Sequence, residues 1–127
     1  MAEHGIFIWN ELMTRNVAKA RDFYGKSLGW TFSEMPMGDE VYVIASAGDT
    51  QAAGIFAMTG PEFEGVPEPW MSYIAVDNVD ERLELAKAHG GDVVRPPFDV
   101  PGVGRIALLK DPGGAVIGWM TPSEMAG

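Results

Sequence analysis

The chain has 127 residues and a formal net charge of −9, with 18 acidic and 9 basic side chains and no cysteine. This length suits one domain with a real core, the charge argues against a nucleic-acid partner, and the missing cysteine excludes disulfides, thiolate nucleophiles and cysteine-ligated zinc. No apolar run approaches the ~20 residues of a membrane span and no basic, apolar leader is visible, so we expect a cytoplasmic protein without a membrane partner.

The first half of the chain reads as strand, helix and three further strands. Residues Ile6 to Met13 are rich in β-branched and other apolar residues, and Asn16 can cap a helix that begins at Val17. Gly29 is typical of a helix end. The buried helical face is predicted at Val17, Ala20, Tyr24 and Leu28, with Phe23 alongside. The three strands are predicted at Trp30–Met35, Glu40–Ala47 and Gln51–Met58.

The second half repeats this order after a proline-rich linker at residues 60–69. Asn78, with Glu81 three residues later, fits a capping box in which Asn replaces Ser or Thr. The remaining elements are predicted as a strand at Trp70–Val76, a helix at Val79–His89, and strands at Asp92–Arg95 or slightly beyond, Gly104–Lys110 and Ala115–Thr121.

The two halves match without a gap when the chain is shifted by 62 residues. Asn16 falls on Asn78, Gly29 on Gly91, Asp49 on Asp111 and Met58 on Met120, among other identities. Stacked repeat arrays need about three or more units, so two copies favour a pseudo-symmetric pair. We therefore predict a single domain over residues 1–127, with βαβββ modules at about 5–59 and about 70–122.

Short motifs add a family resemblance that covers essentially the whole chain. They are Phe23-Tyr24 and Leu28-Gly29 in the first helix, Asp111-Pro112-x-Gly114 before the last strand, and a Trp-Asn-Glu-Leu opening strand at Trp9–Leu12. Together with the paired βαβββ order, they resemble the vicinal oxygen chelate superfamily of glyoxalases, bleomycin-resistance proteins and extradiol dioxygenases. The resemblance implies an α+β fold whose two modules form a curved mixed sheet, a cup around a small-molecule site, with the helices outside.

Metal-using members of that superfamily place one ligand on the first and one on the last strand of each module. Counting from Asn16 and Asp111 and applying the 62-residue shift gives Trp9, Phe56, Met71 and Gly118. None of these side chains is a metal ligand of the usual kind. The two histidines, His4 and His89, lie in the terminus and at a helix end, so we predict no metal and no cofactor.

The cup lining follows from strand alternation. If Trp9 faces inward, Glu11 and Met13 share its face, and the shift adds the ligand-binding candidates Phe56, Met71, Tyr73, Gly118 and Met120. This lining suits an apolar or aromatic small molecule, although the same side chains could simply fill a core.

Three polar residues are candidates for specific roles. Glu11 could act as a general base or bind a ligand cation, with its pKa raised unless a basic side chain reaches it; it could instead pair with Arg15 or Arg105, or lie at the surface. Tyr73 could donate to a ligand or be satisfied by backbone. Arg105 could meet an anionic ligand group at the pocket mouth or be an ordinary solvated arginine.

Three functions remain open from the sequence. The first is a metal-independent protein that binds a small molecule, of the bleomycin-resistance kind. The second is a glyoxalase-like lyase or isomerase that uses Glu11 as its base, and the third is a structural subunit whose cup is filled by its own side chains. A homodimer is expected because Trp30, Trp70 and Trp119 lie out of phase with the cup face and offer apolar surface.

Overall fold

Two βαβββ series follow one another in the computed structural model, which describes residues 4–37, 40–61, 64–65, 67–100 and 103–123. This confirms the α+β class and the order of the elements. Neither of the two helices described is long and apolar enough to cross a membrane. The elements are β1 (Phe7–Thr14), α1 (Val17–Leu28), β2 (Thr31–Met37), β3 (Glu40–Ala47), β4 (Thr50–Ala57), β5 (Trp70–Ala75), α2 (Val79–Ala88), β6 (Asp92–Val100), β7 (Gly104–Lys110) and β8 (Val116–Pro122).

The described residues divide into two compact units. Residues 9–71 form the first unit, and residues 72–123 together with 4–8 form the second. The start of the chain belongs to the second unit because Gly5 N–H donates to the Ala75 carbonyl at 2.7 Å and Ala75 N–H donates to the Ile6 carbonyl at 2.8 Å. The predicted linker lies partly outside the described residues.

Both helices begin at an asparagine, as predicted. The Asn16 side chain accepts a hydrogen bond from Lys19 N–H at 3.0 Å, and the Asn78 side chain accepts one from Glu81 N–H at 3.1 Å. Each bond satisfies a backbone donor that the first helical turn leaves without a partner. Gly29 ends α1 with a left-handed φ of 75°, a conformation that glycine adopts without steric cost.

The first unit has strand order β2-β3-β4-β1, with β4 and β1 parallel and the other pairs antiparallel. One face of this sheet packs under α1, where Leu12, Val43 and Ile55 form a core with α1 residues Val17, Ala20 and Tyr24. The prediction that Phe23 and Leu28 also belong to the buried face of α1 is wrong. Phe23 is 61% exposed and Leu28 is 59% exposed, since the stripe in contact with the core ends at Tyr24.

The second unit has strand order β5-β8-β7-β6, with β5 and β8 parallel and the other pairs antiparallel. Its core lies between the sheet and α2. Trp119 packs against that core and is only half-buried. Alternation along β8 turns this side chain toward α2, so Trp119 offers less surface to a partner than was expected. The core residues are Val76, Val79, Leu83, Ala107 and Leu109.

Equivalent residues of the two halves are not separated by the same number of positions throughout the repeat. Glu11 pairs with Gly54 between β1 and β4, and Tyr73 pairs with Gly118 between β5 and β8. Tyr73 follows Glu11 by 62 residues, but Gly118 follows Gly54 by 64. The single ungapped register is therefore wrong for the last strand, where the counterpart of Gly118 is Gly54 and that of Phe56 is Met120.

The cause of the change is in the edge strands. β6 has nine residues and β2 has seven, and the pairing of β6 with β7 shifts register between Val93 and Arg95 and again between Arg95 and Phe98. Bulges of this kind add residues to one strand of a pair without breaking the sheet. They also explain why β6 runs to Val100, beyond the predicted end near Arg95.

Candidate functional site

Three polar side chains of the first unit are joined by hydrogen bonds. The Trp9 indole Nε1–H donates to the Tyr42 hydroxyl oxygen at 3.0 Å, and the Tyr42 O–H donates to Glu11 Oε2 at 2.8 Å. All three residues are half-buried. We call this group the Trp9–Tyr42–Glu11 triad.

The triad lies on the sheet face that points away from α1. Leu12 packs toward α1, so its neighbours Glu11 and Met13 point the other way. Val43 and Ile55 also pack toward α1, which places their neighbours Tyr42 and Phe56 on the face of Glu11. The first unit therefore brings the predicted residues Trp9, Glu11, Met13 and Phe56 to one face, of which Met13 is buried and the others are half-buried.

Two residues of this face were missed in the sequence. Tyr42 is central to the triad, and Met35 pairs with it across β2 and β3 and is 41% exposed. Alternation from a core residue at Val43 would have placed Tyr42 on the site face. The site face was predicted from the first and last strand of each module alone, and Met35 and Tyr42 lie on the strands between them.

Burial raises the pKa of Tyr42 far above its usual value, and the negative charge of Glu11 raises it further. The phenol therefore stays protonated at neutral pH and continues to donate to Glu11. Because the same oxygen accepts from Trp9, both the carboxylate and the indole are held in defined orientations. The face thus presents a fixed carboxylate beside two aromatic rings.

A tyrosine covers the equivalent glycine in each unit. A Cβ built on Gly54 would overlap the Tyr42 hydroxyl, and a Cβ built on Gly118 would overlap the Tyr73 ring. Gly54 and Gly118 are counterparts in the observed register. Glycine is required at both positions because the tyrosines occupy the space that any larger side chain would need.

The residues present do not fit the metal of the superfamily. Trp9 and Met71 stand at the first-strand positions and offer no donor of the usual kind. At the last-strand positions, the observed register makes Gly54, and not Phe56, the counterpart of Gly118. Neither glycine could be replaced by a ligand without displacing a tyrosine. Within the described ranges, no group of three or more His, Asp or Glu residues could hold a metal ion.

The remaining predicted lining residues are buried. Met71 is a core residue, as are Tyr73 and Met120 of the second unit, where Tyr73 is only 5% exposed. In the second unit Ile74, Ile117 and Trp119 pack toward the α2 core, so Tyr73, Gly118 and Met120 share the face away from α2. This face is apolar and closely packed around the Tyr73 ring.

Arg105 is not part of that face. Its neighbour two residues on, Ala107, packs toward α2, and the Arg105 guanidinium binds Asp80 of α2 through Nε at 2.7 Å and Nη2 at 3.0 Å. Asp99 is a second partner at 3.2 Å. Hydrogen bonds to Asp80 and then to Asp99 raise the pKa of Arg105. The structure therefore separates Arg105 from the other predicted residues of its unit.

Arg15, the other cation considered for Glu11, lies against the linker. Its Nη1 is 3.5 Å from Glu68 Oε2, and Thr14 Oγ1 donates to Glu68 Oε1 at 2.7 Å. The hydrogen bond from Thr14, followed by those from Arg15, lowers the pKa of Glu68. These contacts fix residues 67–69 against the end of β1, where Met13 N–H also donates to the Pro69 carbonyl at 3.0 Å.

Comparison with known proteins agrees with this architecture. The family model described as the glyoxalase/bleomycin resistance protein/dioxygenase superfamily matches residues 6–118. The chain belongs to this superfamily. The narrower subgroup with a Trp-Asn-Glu-Leu opening strand stays a prediction.

Two curated relatives are proteins of Mycobacterium and Streptomyces. The chain is 39% identical to the putative glyoxylase CFP32 of Mycobacterium tuberculosis, over 95% of this chain and 46% of that protein. It is 30% identical to the anthracycline biosynthesis protein DnrV of Streptomyces peucetius, over 94% of this chain and 48% of that protein. The chain spans about half the length of these curated relatives.

Among solved structures, a hypothetical protein, BH1468 from Bacillus halodurans, superposes with a TM-score of 0.71. The superposition covers 98% of this chain and 99% of the other, at 14% identity. At that identity the likeness shows the fold alone.

Proposed function

We propose that this protein binds an apolar or aromatic small molecule without a metal ion, on the face of the first unit that carries the Trp9–Tyr42–Glu11 triad. The supporting observation is the triad itself, a hydrogen-bonded polar group set among half-buried aromatic residues. Ligand sites are mostly apolar, with a few well-placed polar groups that fix orientation.

The neighbours of the triad suit such a ligand. Phe56 is half-buried and Met35 is largely exposed on the same face. Aromatic rings offer large contact area, and methionine adapts to irregular shapes because its side chain is flexible and polarizable. The second unit differs, since Tyr73 and Met120 are buried there.

The binding experiment is thermal unfolding with a panel of aromatic metabolites. A ligand present at 100 times its Kd should stabilise the native state by about 2.7 kcal/mol. Trp9→Ala should abolish the stabilisation, whereas Glu34→Gln, on the α1 side of the same sheet, should retain it. If no ligand in a broad panel raises the unfolding temperature, the proposal fails.

Metal independence is the second part of the proposal. It is supported by the tyrosines that cover Gly54 and Gly118 and by the ligand-poor positions Trp9 and Met71. Elemental analysis should find no stoichiometric Zn, Ni, Fe or Mn in the purified protein, and chelators should leave ligand binding unchanged. About one metal ion per chain, removable only with loss of binding or folding, would contradict it.

A second candidate is a glyoxalase-like lyase or isomerase with Glu11 as general base. The observation in its favour is the hydrogen bond from Tyr42, which orients the carboxylate as a base must be oriented. Glu11→Gln keeps the acceptor for Tyr42 and removes the base. Such an enzyme should lose turnover in Glu11→Gln while KM changes little, whereas a simple binding protein has no turnover to lose.

The third candidate is a structural subunit with a filled interior. The buried Met71, Tyr73 and Met120 are consistent with it. It predicts that Trp9→Ala loses stability without any effect on ligands, because none bind.

We also propose a homodimer, supported mainly by the exposed Trp70, since Trp30 and Trp119 are both half-buried. Trp70 is 44% exposed and makes an edge contact with Tyr24, and Phe23 lies at the exposed side of the same aromatic group. Tryptophan concentrates binding energy where subunits meet. Sedimentation equilibrium at micromolar concentration should give twice the chain mass, and a single-chain mass at high micromolar concentration would contradict the proposal.

A further inference from the structure

We propose that Arg95, held on the ring of Phe98, binds the anionic group of a small organic ligand, a carboxylate or a phosphate. This site is built entirely from residues of the second unit, and it does not depend on the binding proposed for the Trp9–Tyr42–Glu11 triad.

A bulge in β6 brings the two residues together. Residues three apart in a regular strand point to opposite faces of the sheet. Here Arg95 pairs with Leu108, Phe98 pairs with Ile106, and the register shifts between the two pairs. Ala107 packs toward α2, so its neighbours Ile106 and Leu108 point away from the helix. The bulge therefore places Arg95 and Phe98 on the same face, the one away from α2.

Two prolines stabilise this bulge. Pro96 and Pro97 lie between Arg95 and Phe98, and β6 is the last strand in the order of the sheet. Proline has no N–H for a strand ladder and a fixed φ, which confines it to edge strands and bulges. The segment therefore has little backbone freedom, and a site built on it loses little conformational entropy when a ligand binds.

The Arg95 guanidinium lies flat against the Phe98 ring. Its Cζ is 3.7 Å from the ring centroid, which is van der Waals contact, and cation–π attraction favours this arrangement. A guanidinium has five N–H donors in its own plane, so a stacked guanidinium directs them past the ring and not at it. Such donors match a carboxylate or a phosphate, which can accept two parallel hydrogen bonds.

Arg95 also differs from the other arginines in its partner. The other four each bind a carboxylate, in the pairs Arg15–Glu68, Arg21–Glu34, Arg82–Asp77 and Arg105–Asp80. Arg95 is exposed, and none of the acidic side chains that the structure describes lies within ion-pair distance of it. In a chain with 18 acidic and 9 basic side chains, this arginine keeps its donors for an anion from outside.

The charge on this face of the second unit favours an anion. Lys110 lies on the same side of β7 as Leu108 and pairs with Asp92 across the ladder. The described strands of this unit therefore bring two cations, Arg95 and Lys110, and one carboxylate to the face. Asp99, the other acidic residue of β6, binds Arg105 on the α2 side.

The test uses three probes of one shape: 2-naphthoate, 2-naphthyl phosphate and 2-naphthylmethanol, titrated at pH 7 by calorimetry. Wild type should bind the two anions about ten-fold more tightly than the alcohol, since hydrogen bonds between charged groups are the stronger kind. In Arg95→Gln, all three should bind within about two-fold of one another. Arg105→Gln removes the same charge from the α2 side of the same unit and should keep the preference. The tighter anion identifies a carboxylate or a phosphate ligand.

The place of binding is read from the side-chain Nε–H signal of Arg95 in heteronuclear NMR, assigned by its absence from Arg95→Gln. Both anions should shift this signal, and the alcohol should not. Phe98→Leu removes the ring and keeps the charge, so the signal should move in the free protein and anion affinity should fall about three-fold. Phe98→Tyr keeps the ring and should behave like wild type.

The outcomes separate this site from the triad. If the anions bind no more tightly than the alcohol in wild type, or if no probe binds, the proposal is overturned. Loss of the preference in Arg105→Gln as fully as in Arg95→Gln would show a general electrostatic effect and also overturn it. Trp9→Ala should keep both the preference and the shift of the Arg95 signal, even if binding at the triad fails. Loss of both in Trp9→Ala would exclude a site built from the second unit.

Discussion

The two units carry the same arrangement of strands but use the sheet face away from the helix differently. In the first unit, that face holds the half-buried Trp9–Tyr42–Glu11 triad. In the second unit, the residue equivalent to Glu11 is Tyr73, which is buried against Gly118. At this pair of equivalent positions, the first unit has a carboxylate and the second unit has an aromatic ring.

The comparison shows how a repeated unit can keep a polar site in one copy and lose it in the other. In each unit, a tyrosine side chain covers the glycine of the last strand. In the first unit, Tyr42 of β3 covers Gly54, so the residue of β1 that pairs with this glycine can be Glu11. In the second unit, Tyr73 of β5 both pairs with Gly118 and covers it, so this position holds an aromatic ring instead of a carboxylate.

The largest effect should come from adding a methyl group at the covered glycines. Gly118→Ala should lower the free energy of unfolding by about 3 kcal/mol, because the Cβ would overlap the buried Tyr73 ring, and overpacking costs about 1–3 kcal/mol or more. Gly54→Ala should cost about 2 kcal/mol, since Tyr42 is half-buried and can swing away by giving up its hydrogen bonds. Urea denaturation measures both.

Gly25→Ala is the matched control for these two variants. Gly25 lies in α1, and a Cβ there would meet only ordinary contacts at 3.5 Å and beyond. Alanine favours a helix over glycine by about 1 kcal/mol, so this variant should be neutral or stabilising. If Gly118→Ala behaves like Gly25→Ala, the tyrosine does not cover the glycine and the comparison between units is broken.

Features of the fold that depend on neighbouring residues could be predicted from the sequence, whereas features that depend on contacts between distant residues could not. The capping of α1 by Asn16 and its end at Gly29 are local, and both were predicted correctly. The pairing of Glu11 with Gly54 joins distant strands, and its counterpart in the second unit depends on the bulges of β6. A bulge leaves no clear pattern in composition, so the second register could not be seen in the sequence.

The site shows the same division. Alternation along β1 indicated that Glu11 and Trp9 share a face, which needs only the two-residue period of a strand. The same period could have placed Tyr42 on this face, but its hydrogen bond to Glu11 joins residues 31 positions apart and could not be predicted from the sequence. Arg105 was grouped with the cup because it precedes a strand, but its partners Asp80 and Asp99 come from α2 and β6, which spacing alone does not reveal.

The next largest effect should come from the triad. Tyr42→Phe removes one hydroxyl that serves two hydrogen bonds, so Trp9 loses an acceptor and Glu11 loses a donor. We expect the free energy of unfolding to fall by about 1–2 kcal/mol, near the cost of leaving partly buried polar groups without a partner. Tyr24→Phe removes a hydroxyl that accepts from Trp70 at 3.1 Å in a more exposed place, and should cost less. Equal losses would mean that the triad is no stronger than a surface contact.

Alkaline pH should weaken the first unit through the same residue. The pKa of Tyr42 is raised in the folded state, so its contribution is fully present below the unfolded value of about 10 and is lost as the pH rises further, because the unfolded chain then releases a proton that the folded chain keeps. Between pH 9 and 11, wild type should lose more stability than Tyr42→Phe. Absorbance at 295 nm should show the same tyrosine ionisation in folded wild type and in Tyr42→Phe. An extra ionising tyrosine in wild type would contradict the raised pKa.

The smallest effect should come from Arg105, which tests whether its charge serves structure alone. Arg105→Ala removes exposed ion pairs to Asp80 and Asp99, and exposed pairs contribute little because water and salt screen them. The loss of stability in Arg105→Ala should be smaller than that in Tyr42→Phe and should diminish in 1 M salt.

The same pair should also depend on pH. Arg105 lowers the pKa of Asp80, so the stabilisation by this pair is present above the usual carboxyl pKa and is lost as the pH falls below it. Stabilisation by ligands of the aromatic panel should be unchanged, since Arg105 lies on the α2 side of its sheet. A selective loss of stabilisation by anionic members of the panel would return Arg105 to the site.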